Sequence, residues 1–240
     1  MIGIGTLVNT LAIITGGVLG LFLKNGIPDR IKNSILKIMG LSVLLMGLIG
    51  FLENIFFIDN SIIKSKSTMV ITIALVLGVI VGEVIDIEKY FEKFGFYLKS
   101  KVSSKGDNNF VEGFVTTSLI FCIGAMGILG SIADGINHDP SILYNKAMLD
   151  GITSMIFASM LGFGVIFSAL AVFCYQGTIT LLSFFIADYF TQDIMVGIST
   201  LGSIMIFCLG SNMLFKTNVK VGNMLPALLV AILFKIFHLF

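Results

Sequence analysis

Residues 112–134 read EGFVTTSLIFCIGAMGILGSIAD, and this stretch decides the fold. Its only charges are Glu112 and Asp134, one at each end. Between them lies an apolar run of the length a helix needs to cross about 30 Å of hydrocarbon. Gly113, Thr117, Ile120, Gly124, Gly127, Ser131 and Asp134 recur at alternating spacings of four and three, which is one helix face. Small residues on such a face let a neighbouring helix approach closely, and an acid at its end must be compensated.

The rest of the chain has the same character. Of 240 residues, 56% are hydrophobic and 12% charged, with a mean hydropathy of +1.02. A soluble domain carries about 25% charged residues, so an ordinary globular domain is excluded. The formal net charge is +1, too small for a phosphate-tracking surface, and no nucleic acid is expected as a partner. The N-terminus has neither a basic n-region nor a small-residue cleavage site, so the first apolar segment is expected to remain as a membrane span.

Eight apolar stretches qualify as spans: roughly 3–23, 35–58, 68–87, 112–134, 147–174, 177–190, 194–215 and 222–239. The predicted fold class is therefore all-α, a polytopic transmembrane bundle of about eight spans, or seven if the short segment 177–190 does not cross. The basic residues Lys24, Arg30, Lys32, Lys89, Lys93, Lys99, Lys101, Lys105, Lys216 and Lys220 follow the first, third and seventh stretches, with Lys37 just inside the second. Asp59, Asp139, Asp188 and Asp193, with only Lys64 and Lys66 of opposite sign, lie on the other side. The positive-inside rule then puts both termini outside. The organisation expected is 1–99 as three spans plus a cytoplasmic amphipathic helix (86–99, DIEKYFEKFGFYLK), 100–110 as linker, and 111–240 as a five-span remainder, all in one membrane domain. Loop-to-helix patterns near Pro28, Pro140 and Gln192 raise an inverted repeat as an expectation.

Polar residues inside these spans are the candidate functional groups. Thr6, Asn9, Ile13, Gly16 and Gly20 form a stripe on the first span, and Gly78 and Gly82 precede Glu83 on the third. Asp139-Pro140 reads as a helix start, after which Lys146 and Asp150 share a face one turn apart. About ten residues of rise carries Asp150 some 15 Å from that start, near mid-membrane if the helix begins at the outer interface. The six-residue link 135–140 demands an antiparallel hairpin. Lys146 is therefore expected to bridge Asp150 and to reach Asp134 beside Ser131, leaving one carboxylate oxygen free. Gln176-Gly177 is read as a polar break between the fifth and sixth spans.

Cys122, Cys174 and Cys208 have no CxxC spacing and no neighbouring His, and His138 and His238 stand alone. Neither a metal site, a disulfide framework nor a cofactor is expected.

Several stretches together make the chain recognisable: NTLAIITGGVLG (9–20), GVIVGE (78–83), FCIGAMGILGSIADG (121–135), KAMLDG (146–151), Gln176-Gly177 and NMLP (223–226). Over nearly its whole length it resembles the bacterial membrane family known as domain of unknown function 554. The resemblance implies a multi-pass protein of a bacterial inner membrane and brings no substrate with it; descriptions of that family often count seven spans.

The function expected is that of a small transporter or channel for a small solute or ion, with proton or cation coupling through carboxylates. Asn9, Glu83, Ser131, Asp134, Lys146, Asp150 and Gln176 are its candidate substrate- or ion-binding residues. The alternative is a structural or regulatory membrane protein that binds a partner, or a second copy as a homodimer, through its small-residue faces. An intramembrane aspartyl enzyme built on Asp134 and Asp150 is disfavoured, since no GxGD, GxSG or HExxH sequence is present.

Overall fold

The computed structural model describes residues 2–24, 28–59, 62–65, 69–102, 109–186 and 191–236. The body of the expected linker (103–108, with Lys105) lies outside them, as do Lys66, Asp188 and His238. The elements in chain order are α1 (Ile4–Lys24), α2 (Asp29–Ile55), β1 (Phe56–Asp59), β2 (Ile62–Ser65), α3 (Met69–Ile85), α4 (Ile87–Val102), α5 (Phe110–Cys122), α6 (Ala125–Ile136), α7 (Ser141–Leu161), α8 (Gly164–Ile186), α9 (Gln192–Phe215) and α10 (Pro226–Ile236). A 3-10 turn, Val221–Met224, precedes α10.

The all-helical reading holds apart from one small feature. β1 and β2 form an antiparallel hairpin with Phe56 opposite Ser65, so the second span ends at Ile55 instead of residue 58. The β-branched and aromatic run around 56–63 suits a short strand pair better than a further helical turn.

Two larger corrections follow from glycines. The expected break at Gln176-Gly177 does not exist, because both residues lie inside the continuous helix α8. The chain breaks instead at Gly162, with φ 84° and ψ −150°, a region that only glycine enters cheaply. The stretches 147–174 and 177–190 are thus regrouped as α7 and α8. The fourth span is also divided: Gly124, at φ 126°, separates α5 from α6, which are bent by 62°. Asp86, at φ 59°, breaks α3 from α4 with a 47° bend. Among the described residues four helices (α1, α2, α8 and α9) are long and apolar enough to cross a membrane, or six if each bent pair is one span. α10 is apolar but short.

The described residues fall into two compact units, Met1–Leu36 with Tyr90–Ala187 and Lys37–Lys89 with Asp188–Phe240. In the first unit α1 lies along α7, and their residues rise together: Asn9 meets Asp150, and Gly20 meets Met155. A side chain on Gly16 would overlap the Gly151 carbonyl, and one on Gly20 the Met155 carbonyl. The two helices therefore touch backbone to backbone, as small-xxx-small spacing permits in lipid. α5 and α6 run along α8 in the same sense, with Phe110 beside Gly164 and Gly127 beside Gln176. Ile13, Phe121, Ala169 and Val172 form the buried apolar centre.

In the second unit α2 and α9 are antiparallel: Gly40 meets Met213, Gly50 meets Ser203, and Asn54 donates to the Ser199 hydroxyl at 3.0 Å. α3 and α10 are antiparallel too, with Gly78 against Ala227 and Gly82 against Asn223.

Candidate functional site

The site of the first unit is built around the start of α7. Asp139 accepts the Ser141 backbone N–H at 3.0 Å and its hydroxyl at 2.5 Å, and Tyr144 N–H then bonds the Pro140 carbonyl. From that start the helical period places Lys146 one turn before Asp150 on the inward face. Lys146 Nζ donates to Asp150 Oδ1 at 2.9 Å and to Oδ2 at 2.7 Å. Both side chains are about nine-tenths buried. A lone Lys at the centre of a membrane helix costs about 2.5–3.5 kcal/mol on insertion scales, and the carboxylate offsets that cost.

Close contact of α1 with α7 brings in a third residue. Asn9 Nδ2 donates to Asp150 Oδ2 at 3.0 Å and to Gln176 Oε1 at 3.3 Å. The polarity of this chain is set by the carboxylate. Facing Asp150, Asn9 must present its NH₂ edge, and Gln176 must then present its carbonyl to Asn9. Two atoms are left over: Asn9 Oδ1, an acceptor, and Gln176 Nε2, a donor, are buried without a partner. Both residues are fully buried. A buried polar group left unpaired costs about 1–3 kcal/mol, and folds keep such groups mainly where something uses them.

A second polar group lies towards the start of α1. Asp134 Oδ2 accepts the Gly5 backbone N–H at 3.0 Å, at the positive end of a helix whose first N–H groups lack intrahelical partners. Thr6 Oγ1 lies 3.5 Å from Thr180 Oγ1, and Ser183 donates to the Thr180 carbonyl at 2.8 Å. Ser131 Oγ and Asp134 Oδ1 are buried and unpartnered.

The structure thus joins Asn9, Lys146, Asp150 and Gln176 in one network, and buries Ser131 and Asp134 on α6 in the same unit. It corrects two details. Among the described residues Lys146 bonds Asp150 alone, and Asp134 accepts the Gly5 N–H at Oδ2 instead. Both oxygens of Asp150 are occupied, so the unpartnered carboxylate oxygen belongs to Asp134. Thr180, Ser154 (which donates to the Ile13 carbonyl at 2.8 Å) and Gly5 were absent from the expected set. Thr180 and Ser183 follow Gln176 at steps of four and three, a stripe visible once 164–186 is read as a single helix.

Glu83 lies in the second unit, exposed, with Lys220 Nζ 3.3 Å from its Oε2. Asp86 is 3.7 Å from the same ammonium and 3.6 Å from Lys89. The Glu83 hydrogen bond and the charges of Glu83 and Asp86 hold the Lys220 ammonium above its ordinary pKa. Asn223 Oδ1 accepts the Glu88 N–H and Glu88 Oε2 accepts the Gly222 N–H, each at 2.8 Å. Among the described residues no three His, Cys, Asp or Glu side chains converge to hold a metal ion.

Comparison with known proteins shows a family. The family model described as "Protein of unknown function (DUF554)" matches residues 4–236. The chain is 32% identical over 226 residues to "Uncharacterized membrane protein YdfK" of Bacillus subtilis (strain 168), covering 94% of this chain and 93% of that one. It is 30% identical over 232 residues to "Uncharacterized protein YqgA" of Escherichia coli (strain K12), covering 95% and 94%. No solved structure matches it. A helical membrane protein with this central glycine-rich motif, matched from α1 to α10, belongs to the DUF554 family.

Proposed function

We propose that this membrane protein is a small transporter or channel for a small solute or ion, and that it performs no covalent chemistry. One observation carries the reading: a buried, hydrogen-bonded Lys146–Asp150–Asn9–Gln176 network stands near the middle of α7 and α8 and keeps two amide atoms unpaired. A purely structural ion pair needs no such unpaired edges, whereas a ligand site at mid-membrane depth does. Exchange of a proton or cation at a carboxylate supplies the coupling.

Pair directions inside each unit support eight crossings. α1 with α7, and α5–α6 with α8, run parallel; α2 with α9, and α3 with α10, run antiparallel. Strict alternation of eight crossings, with each bent pair as one, yields that pattern. Arg30, Lys93, Lys101 and Lys220 then share one side and Asp139 and Asp193 the other, so the positive-inside rule puts the basic side in the cytoplasm and both termini outside a bacterial inner membrane.

The test is uptake into proteoliposomes, comparing the native chain with Lys146→Gln/Asp150→Asn, which removes both charges together and leaves neither unpaired. Solute-dependent flux that the double variant loses while still folding supports the reading. No flux of any cation, amino acid or neutral solute through the native protein overturns it in favour of a partner-binding role.

A further inference from the structure

Gly127, on α6, lies beside the network. A Cβ added there would lie 3.8 Å from Gln176 Nε2, 3.6 Å from Lys146 Cε and 3.4 Å from Cε1 of the Tyr175 ring. These are ordinary contact distances, so the absent side chain leaves room for about one heavy atom beside the unpartnered Gln176 amide. One turn further along the same face stands Ser131, fully buried, its hydroxyl also unpartnered. Lys146 directs two N–H bonds at Asp150 and has three to give. The groups left over around Gly127 are thus donors. The leftover atom of the Asn9 amide, Oδ1, is by contrast an acceptor, on the group whose Nδ2 bonds Asp150.

We propose that the network binds a small zwitterionic amino acid, with its carboxylate oxygen seated at Gly127 between Gln176 Nε2, Ser131 Oγ and Lys146, and its ammonium donating to Asn9 Oδ1. This rests on the transport reading and deepens it to a substrate class. Charge balance favours a zwitterion over a simple ion. The Lys146–Asp150 pair is already neutral, so a lone anion or a lone cation would bring an uncompensated charge into the bundle, whereas a zwitterion brings none. The space at Gly127 is that of one carboxylate oxygen and leaves no room there beside the Tyr175 ring for a bulky side chain, which favours glycine or alanine. Leftover donors together with a leftover acceptor also discriminate against analogues that lack either end, because the unmatched protein group then stays unpaired.

The experiment uses the full-length chain, purified in detergent, with thermal unfolding measured against glycine, L-alanine, acetate, methylammonium and acetamide. Glycine or alanine is expected to raise the unfolding temperature; acetate and methylammonium, each lacking one end, and acetamide, which lacks both charges, are expected to raise it much less. Gly127→Ala fills the subsite at contact distances the helix accepts, so it should unfold at the native temperature without ligand yet bind alanine at least about tenfold more weakly, the loss expected for one buried hydrogen bond. Gln176→Met, which removes the donor at similar volume, should weaken binding likewise. Equal binding of the amino acid by native chain and Gly127→Ala overturns the site. Absence of amino-acid binding, with flux of another solute that the Lys146→Gln/Asp150→Asn variant loses, overturns this inference and leaves transport standing. Absence of both binding and every flux overturns the two together.

Discussion

Lys146 Nζ lies 2.9 and 2.7 Å from the two carboxylate oxygens of Asp150, one turn away on the same helix, with Asn9 Nδ2 3.0 Å from the nearer of them. A buried pair held this way is asymmetric in its response to substitution. Removing one partner strands a charge and costs about 3–5 kcal/mol, whereas replacing both with apolar groups of similar volume is nearly neutral or stabilising. Lys146→Met alone is therefore expected to lower stability severely. Lys146→Met/Asp150→Leu should recover most of that loss, as read by chemical unfolding in detergent, and should still be devoid of transport. A double variant as unstable as the worse single one would show that the network contributes more than paired charge.

Close approach of α1 to α7 depends on Gly16, where a methyl would strike the Gly151 carbonyl. Gly16→Ala should cost about 1–3 kcal/mol, the usual penalty for overpacking. Gly177, inside α8, has nothing within 4 Å of an added Cβ. Gly177→Ala should be neutral or stabilising by up to about 1 kcal/mol, from helix propensity alone. Equal effects at the two positions would contradict the helix packing described.

The α7–α8 junction gives a backbone test. Gly162 adopts φ 84° and ψ −150°, and an L side chain held there is strained by about 1–3 kcal/mol. Gly162→Ala should destabilise by that amount, while Gly164→Ala should fail for a different reason, overlap with the Phe110 backbone. Rescue of Gly162→Ala by a D-alanine, introduced by semisynthesis, would separate conformation from packing.

How these features could be read in advance differs by residue. Lys146 and Asp150 were legible because a helical period and an apolar setting leave two opposite charges one option, each other. Asn9 was legible as a polar residue on a small-residue stripe, although its partners were not. The α7–α8 boundary was misread since hydropathy is continuous through Gly162 and dips at Gln176, while the decisive quantity, a positive φ, leaves no trace in hydropathy. Asp134 was matched to the wrong partner for a related reason. Sequence spacing names side chains only, and its partner is the backbone N–H of Gly5, far away in the chain.

Acid should weaken the start of α7. The hydroxyl and backbone N–H of Ser141 hold Asp139 below its usual carboxylate pKa of 3.8. Its folded value is depressed, so its contribution is fully present above that pH and is lost as pH falls through the lower folded value. Asp139→Ala should therefore fall below the native unfolding temperature near neutral pH, with the gap narrowing as pH drops below 3.8. The site is exposed and the effect small. A gap that stays constant over this range would mean that the carboxylate charge is irrelevant to the helix start.

The bend between α3 and α4 is held by a reciprocal pair: Asn223 Oδ1 accepts the Glu88 N–H, and Glu88 Oε2 accepts the Gly222 N–H. Asn223 is fully buried, so Asn223→Ala leaves the Glu88 N–H without its acceptor and should cost about 1–3 kcal/mol. Glu88→Gln keeps an acceptor oxygen in place and should cost less, about the difference between a charged and a neutral hydrogen bond, near 1 kcal/mol. The ordering is the informative result, because charge-driven attachment would reverse it. If Glu88→Gln proves the more damaging, as measured by hydrogen exchange at Gly222 and by unfolding, the α3–α4 bend is fixed by the carboxylate charge and not by the paired backbone bonds.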